Sequence, residues 1–441
     1  MKRQVEFRFF YILYILLTTV IFIIILPAFW LYTYITGHYS RHFSERLGFI
    51  PLHKFKDSSR APRIWIHAVS LGEVKVASSI VSALQEILPD SFIIISTITE
   101  HGRDMAKEIF KDQDLPVIYA PFDFCVSVYQ SLSIVRPDVM VFLETEIWPA
   151  WILEARRLGI KIAILNGRIS QHSFKNYIKL RYFFREVLCN INYLSMITEK
   201  DASRIKAIGA KQNKIEVNGN AKFDLLISST DFRIKAEVRQ ILKLNKSQPV
   251  FVAGSTREGE EVLILKTYKY ILKKFPDTIL IIAPRHIDRA TEIGTEVTRS
   301  GFRYQLRTEI GQDTRRHRTA QVLIINTFGE LFRIYSIGTI IFCGGSLVPL
   351  GGQNPLEPAA WEKFVFFGPH MDNFLDEKTL LEENGGGIEV LRPELMAKKA
   401  VWFLDHPDQL KLAGKRARQV VLLHEKAAKK HARVIQSLLS S

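Results

Sequence analysis

Cysteine is scarce in this chain. Cys125, Cys189 and Cys343 are the only three in 441 residues, and they form no CxxC pair and no Cys/His cluster. That argues against a disulfide framework and a zinc site, and it fits a reducing compartment. Proline (17) and glycine (24) are sparse while hydrophobic residues make up 47%, the balance of a folded chain with little disorder. No GxGxxG follows the first strand and no GxxxxGK(S/T) occurs, so dinucleotide and Walker-type sites are disfavoured. The one DxD, Asp112-Gln113-Asp114, precedes the apolar Leu115-Pro116-Val117-Ile118 and reads as a solvated turn at the amino end of a strand. With no carboxylate/histidine set elsewhere, neither a metal nor a cofactor is expected.

One charge sign dominates: 60 Lys and Arg stand against 45 Asp and Glu, a formal net charge of +15. Such an excess suits an anionic partner, whether nucleic acid, acidic lipid or a phosphorylated substrate. The basic residues are spread along the chain with no arginine-rich arm or helix-turn-helix spacing, so nucleic acid is not the expected partner. A long hydrophobic run is present. From Phe9 to Leu31 the chain is nearly all apolar, and no charge appears between Arg8 and Arg41. That length crosses a bilayer as one helix, with Tyr11 and Tyr14 at one end and Trp30, Tyr32 and Tyr34 at the other as aromatic belts. No small-residue cleavage site follows, which favours an uncleaved anchor over a signal peptide. Lys2, Arg3 and Arg8 precede the run and Arg41, Arg46, Lys54 and Lys56 follow it, so charge does not set its orientation.

Beyond residue 60, apolar strands alternate with amphipathic helices. Strands are expected at Ile64–Ile66, Phe92–Ile95, Val139–Leu143 and Ile162–Leu165, then again at Val250–Ala253, Ile279–Ile282, Val322–Ile325, Thr339–Phe342 and Val365–Phe367. Intervening helices are read at Val74–Leu88, His101–Phe110 and Trp148–Leu158. Continuous apolar strands between helices mark parallel sheets covered on both faces. The fold class is therefore α/β, with two doubly wound, Rossmann-like domains facing each other across a cleft. The boundaries are an anchor over 1–40, a first domain over 41–226 and a second over 227–441. Val217–Asp224 with Ser228–Asp231 reads as the linker, and the helical tail from Asp408 to Leu439 packs back toward the first domain.

Ligands of open α/β sheets sit at the carboxyl ends of strands, so polar residues just past strand ends are the candidates. Glu73, in Ser70-Leu71-Gly72-Glu73, opens a helix; it serves either the helix dipole or a proton-abstracting role. Glu144 and Glu146 end another strand before Trp148-Pro149; Thr145 or Glu146 is the expected helix cap, leaving Glu144 nearest the ligand. Lys222 follows the Asn218-Gly219-Asn220 turn. In the second half, Gly254–Glu261, Pro284-Arg285-His286 and Asn326–Glu330 are turns compatible with phosphate, with Arg285 placed for a bidentate grip. The fourth runs from Cys343-Gly344-Gly345-Ser346 to Gly351-Gly352-Gln353-Asn354-Pro355-Leu356-Glu357-Pro358. It offers bare amides to an anion, Asn354 as cap, Pro355 at the first helical position and Glu357 as a carboxylate for sugar hydroxyls. A well-capped helix after a tight turn would look the same.

Together these segments resemble the bacterial 3-deoxy-D-manno-octulosonic acid (Kdo) transferases of lipopolysaccharide assembly, from about Arg46 to the C-terminal helix. The resemblance implies a GT-B fold, an N-terminal membrane anchor in the inner membrane with the catalytic domains on the cytoplasmic side, and no metal. It implies an inverting transfer from CMP-Kdo to the acylated, phosphorylated lipid A precursor, lipid IVA. Matched by motif, Glu73 is the general base, and Glu144 and Lys222 support the transition state. Pro284, Arg285, Phe328, Gly329, Glu330, Asn354, Pro355, Leu356 and Glu357 hold the CMP. Ala150, Arg257, Asn326 and Gln353 depart from the family pattern. The alternative is a membrane-anchored GT-B transferase for another nucleotide sugar.

Overall fold

The computed structural model describes residues 9–36, 43–51, 55, 60–245, 247–310, 318–423 and 425–440. Lys2, Arg3, Arg8, Arg41, Lys54 and Lys56, which flank the apolar run, lie outside the described residues. Contacts divide the chain into two units, Met1–Leu225 with Lys426–Ser441, and Leu226–Glu425.

The first unit carries strands β1 (Arg63–His67), β2 (Phe92–Thr97), β3 (Val117–Tyr119), β4 (Val139–Leu143), β5 (Lys161–Gly167), β6 (Tyr193–Met196) and β7 (Ile215–Val217). They form one parallel sheet in the order β3-β2-β1-β4-β5-β6-β7. Strand side chains alternate between faces, and here both faces are covered. Ile64, Ile66, Ile93, Ile95, Val139 and Val141 enter one core, whereas Trp65, Ile94, Met140 and Phe142 enter the other. This is why the strands read as unbroken apolar runs.

The second unit repeats the plan with β8 (Val250–Thr256), β9 (Ile279–Pro284), β10 (Tyr304–Leu306), β11 (Val322–Ile324), β12 (Ile340–Cys343), β13 (Val365–Phe367) and β14 (Gly387–Glu389). Their order is β10-β11-β9-β8-β12-β13-β14, again all parallel. In each sheet the winding reverses beside the first strand, between β1 and β4 and between β8 and β12. These are the switch points where α/β sheets leave a crevice at their carboxyl ends. Strands β6, β7, β10 and β14 have no counterpart in the sequence reading. They are three or four residues long and sit at or next to a sheet edge, so their apolar signal is brief.

The chain passes from the first unit to the second at Leu225–Leu226, inside the stretch read as the linker. Val217–Asp224 within it ends β7 and starts helix Ala221–Ser228, and Asn218 and Asn220 are buried. One expectation needs correction. Residues 426–441, read as part of the second domain, group with the first unit. There Ala428, Ala432, Ile435 and Leu438 of helix Ala427–Ser440 fill the core that also takes Val74, Ala77 and Ile80. The Asp224 carboxylate accepts the amides of Lys426 (2.7 Å) and Ala428 (2.6 Å), fixing the start of that helix.

The apolar run forms helix Phe9–Thr36, of which Ile12–Tyr32 is long and apolar enough to cross a membrane. Trp30, Tyr32 and Tyr34 are exposed. Tyr14 is not a free belt residue. Its hydroxyl donates to Asp123 at 2.5 Å, and its ring lies 5.4 Å from Phe183.

Replacing Asp224 with alanine should cost about 1 kcal/mol, the usual loss for a helix-start acceptor. Amide exchange concentrated at residues 427–432 is the expected readout.

Candidate active site

In the first unit, three segments meet at the carboxyl ends of β1, β4 and β5. After β1, Ser70 accepts the Glu73 amide (3.4 Å) at the start of helix Leu71–Ile87. The Glu73 carboxyl turns back to accept from the Val69 amide (2.7 Å) and the Ser70 hydroxyl (3.1 Å). This is a reciprocal cap of the kind that orients a glutamate at a helix start. Glu73 is only 6% exposed. Burial pushes its carboxyl up to about 8, and the charges of Glu146 and Glu144 add to the rise against the pull of the two donors. The helix-start reading holds, since the cap fixes the side chain, and burial brings its carboxyl into a range where it both holds and releases a proton near neutral pH.

Glu144 ends β4 with φ +54°, a left-handed conformation uncommon for a residue with a side chain. Its amide donates to Leu165 O of β5 (3.1 Å), and its carboxylate pairs with Lys222 Nζ at 2.6 Å. Glu146 accepts from the Trp148 indole (2.6 Å), and burial raises its carboxyl above the ordinary range. Neither Thr145 nor Glu146 caps the helix Pro149–Arg157, as the sequence suggests. Thr145 donates to Arg168 O (2.9 Å); the N-cap residue is Trp148, and Asp123 from a loop after β3 accepts the first-turn amide of Trp151 at 3.1 Å. Burial pushes the Asp123 carboxyl up to about 6 against its donors.

The Lys222 turn is held by residues that sequence spacing does not connect. The buried His431 joins Ser195 Oγ through Nδ1 (2.8 Å) and Gly219 O through Nε2 (3.1 Å), while Asn218 Nδ2 donates to the same Ser195 oxygen (2.8 Å). Gly219 O only accepts, so Nε2 carries the proton and Nδ1 accepts from Ser195. Burial lowers the imidazole to about 4, keeping it neutral. Asn166 of β5 accepts the Ala221 amide at 2.8 Å. His67 ends β1 deep in the sheet, bonded to Ser96 Oγ (2.9 Å) and 5.0 Å from the Trp151 ring. Burial takes it down to about 3.

In the second unit, the predicted donor residues lie at or past the ends of three strands, β9, β11 and β12. Pro284 is buried; Arg285 is exposed and anchored by its amide to Thr256 O (3.0 Å). His286 Nε2 meets Arg257 Nη1 at 2.7 Å. Phe328 is 84% exposed beside Gly329 at φ +80°. The Glu330 carboxylate is already engaged, by Arg307 (2.9 and 3.1 Å) and the Thr327 hydroxyl (2.8 Å). Asn354 Oδ1 accepts the Leu356 amide (3.1 Å), and Pro355 and Leu356 are buried. Helix Leu356–Ala360 is a single turn. Glu357 is half-buried near Cys343 and Tyr335; burial, then its charge, keeps the Cys343 thiol protonated.

The glycine-rich turn differs from expectation. Its amides are not bare: Gly345, Ser346 and Leu347 donate to the Glu260 carboxylate (2.7, 3.0 and 2.9 Å), which also takes the Arg257 amide (2.8 Å). Glu260 is fully buried, so an internal carboxylate fills the anion position of that loop. The Asp112–Asp114 pair lies on an exposed turn before β3. Among the described residues no three His, Cys, Asp or Glu side chains gather as a metal-holding group.

Residues 41–225 match the family described as 3-deoxy-D-manno-octulosonic-acid transferase (kdotransferase). The 3-deoxy-D-manno-octulosonic acid transferase of Haemophilus influenzae is 31% identical over 354 residues, covering 80% of each chain. A bifunctional glycosyltransferase/methyltransferase of Fusobacterium nucleatum is 34% identical over 323 residues; the match covers 73% of this chain but only 49% of that protein. A solved structure of a putative UDP-N-acetylglucosamine 2-epimerase from Listeria monocytogenes shares the two-sheet fold, with a TM-score of 0.59 at 12% identity over 86% of this chain and 97% of that one.

The raised Glu73 carboxyl sets a sign for stability. Between its ordinary value of 4.5 and about 8 the folded chain keeps a proton that the unfolded chain releases, so stability falls as pH rises through that window. Glu73→Gln should flatten the fall between pH 5 and 8 in denaturant titrations. An unchanged slope would mean that Glu73 is ionised throughout.

Proposed function

The chain belongs to the 3-deoxy-D-manno-octulosonic-acid transferases, a family of glycosyltransferases, and on that premise we propose that it moves Kdo from CMP-Kdo to a hydroxyl of an acylated, phosphorylated disaccharide precursor of lipid A. The observation that carries this reading is a buried carboxyl of raised pKa at the end of β1, held by its own helix cap beside the Glu144–Lys222 pair at the end of β4.

In the proposed step, the ionised Glu73 accepts the proton of the acceptor hydroxyl as its oxygen attacks the anomeric carbon of Kdo. The new C–O bond forms as the bond to the cytidylate oxygen breaks, with inversion, and CMP leaves with the electron pair. Glu144 holds Lys222 in one geometry, so the ammonium is ready to offset charge at the reacting centre without reorganising. Arg285 takes the cytidylate phosphate, and Glu357 takes ribose hydroxyls. The exposed Phe328 ring and Gly329 lie against the base, while Asn354, Pro355 and Leu356 shape the wall. Pro284 fixes the backbone that carries Arg285. Glu330, pinned by Arg307, acts through the shape of its turn and not as a free carboxylate. No metal enters this reaction.

The substrates fit the rest of the chain. In this reading helix Phe9–Thr36, of which Ile12–Tyr32 is long and apolar enough to cross a membrane, is an inner-membrane anchor, and the reaction takes place on the cytoplasmic side. The +15 net charge favours an anionic lipid at the membrane surface.

Mass spectrometry of lipid formed by the purified chain, CMP-Kdo and tetra-acylated acceptor should show added Kdo, with CMP released in step. Product from a UDP-hexose in place of CMP-Kdo would overturn the donor assignment. Glu73→Gln should lower kcat by about 100-fold or more. Because only the ionised carboxyl accepts a proton, the wild-type rate should climb from pH 6 and level off above about pH 8. A profile flat across that range would remove Glu73 as the base. Arg285→Ala should raise the KM for donor and leave the pH profile in place.

A further inference from the structure

An open groove of about 310 Å³ runs between helix Phe9–Thr36 and the turn that follows β3, lined by Thr18, Ile21, Phe22, Ile25, Phe29, Phe122, Asp123 and Phe124. That volume lies at the low end of small-ligand sites. The five helix residues recur three to four apart, so they form one stripe. At 1.5 Å per residue the stripe is about 16 Å long. Phe22 stacks on Phe124 with centroids 4.3 Å apart and meets Phe122 edge-on at 5.9 Å; Phe29 closes the far end against Phe122 and Phe43.

The groove is dry in character. The Thr18 hydroxyl donates back to Tyr14 O (2.8 Å) and Ile15 O (3.1 Å), so it turns its methyl outward. Both Asp123 oxygens are taken, Oδ2 by the Tyr14 hydroxyl and Oδ1 by the Trp151 amide. With its polar atoms satisfied, such a groove takes hydrocarbon and not a headgroup or water. One wall is the helix long enough to cross a membrane, and its outer side exposes Leu16, Leu17, Val20, Ile23 and Ile24, so with that helix in a bilayer the mouth opens onto lipid chains.

Its position separates one lipid from bulk lipid. Asp123 at the groove accepts the Trp151 amide in the first turn of helix Pro149–Arg157. The residue before that helix, Trp148, donates to Glu146, whose charge is felt by Glu73. We propose that this groove binds one fatty-acyl chain of the acceptor lipid, tethering the acceptor next to the Glu73–Glu144–Glu146 cluster. The proposal rests on the acylated acceptor assigned above. Acylation then acts on KM, by burying hydrocarbon away from the reacting hydroxyl.

The test uses the full chain in nanodiscs. A tetra-acylated phosphodisaccharide carrying a diazirine in one acyl chain should label peptides containing Ile21–Phe29 and Phe122–Phe124. The same diazirine on phosphatidylethanolamine should label them about tenfold less. Ile21→Trp, which fills the groove, should abolish labelling of Phe122–Phe124 and raise the KM for tetra-acylated acceptor about tenfold. It should leave kcat, and the KM for fully deacylated acceptor, unchanged. Ile24→Trp on the outer side of the helix should change neither. Equal labelling by both lipids, labelling elsewhere, or equal KM shifts for the two tryptophan variants would overturn the proposal. Groove labelling without any sugar transfer would uphold the groove and sink the reaction assigned above.

Discussion

Burying a carboxyl group is costly when no cation pairs with it, and Glu73, at the end of β1, has no ion-pair partner among the described residues. Glu73 keeps two hydrogen-bond donors, yet desolvation and two neighbouring carboxylates outweigh them. The ammonium of Lys222, close to this cluster, pairs with Glu144 and not with Glu73. Two glutamates at adjoining strand ends therefore have opposite surroundings, one desolvated and inclined to hold a proton, the other ion-paired. Separation of that kind is what lets carboxyls of the same type take different roles.

The arrangement depends on residues far from it in sequence. Lys222 sits between Gly219 and Asp224, and the C-terminal helix grips both, through His431 and through the amides of Lys426 and Ala428. The chain leaves the first unit just after Asp224 and returns at Lys426. The turn that places the lysine is thus braced where the chain crosses between units. A neutral imidazole suits that brace, because burial removes any charge from it near pH 7.

The second unit shows how a correct motif can mislead about its occupant. A glycine-rich turn after a strand presents amides to an anion, and here it does so to Glu260, eighty-odd positions earlier. Its backbone then acts as a clamp between β8 and β12 at the switch point. Glu330 tells the same story with Arg307. Both side chains look available in the sequence because their partners arrive through sheet order and not through local spacing.

Strand and helix positions around β1, β4, β5, β8, β9, β12 and β13 were legible because both faces of each sheet are buried, which forces unbroken apolar runs between amphipathic helices. The short edge strands β7, β10 and β14 lack that pressure and left no comparable trace. Glu73 and Glu144 were legible as candidates from their places after strands, since carboxyl-end positions are set by local order, whereas Lys222 was picked out only from the turn before it, because β7 left no trace. What the sequence alone determined is the apolar helix, the parallel architecture and the set of polar residues at strand ends, all of which follow from periodicities within one element. Only the tertiary structure decided which of those residues are paired, capped or desolvated, and which segments close the cores. Ion pairing and burial depend on neighbours brought together by the order β3-β2-β1-β4-β5-β6-β7 and by a helix that returns from the other end of the chain.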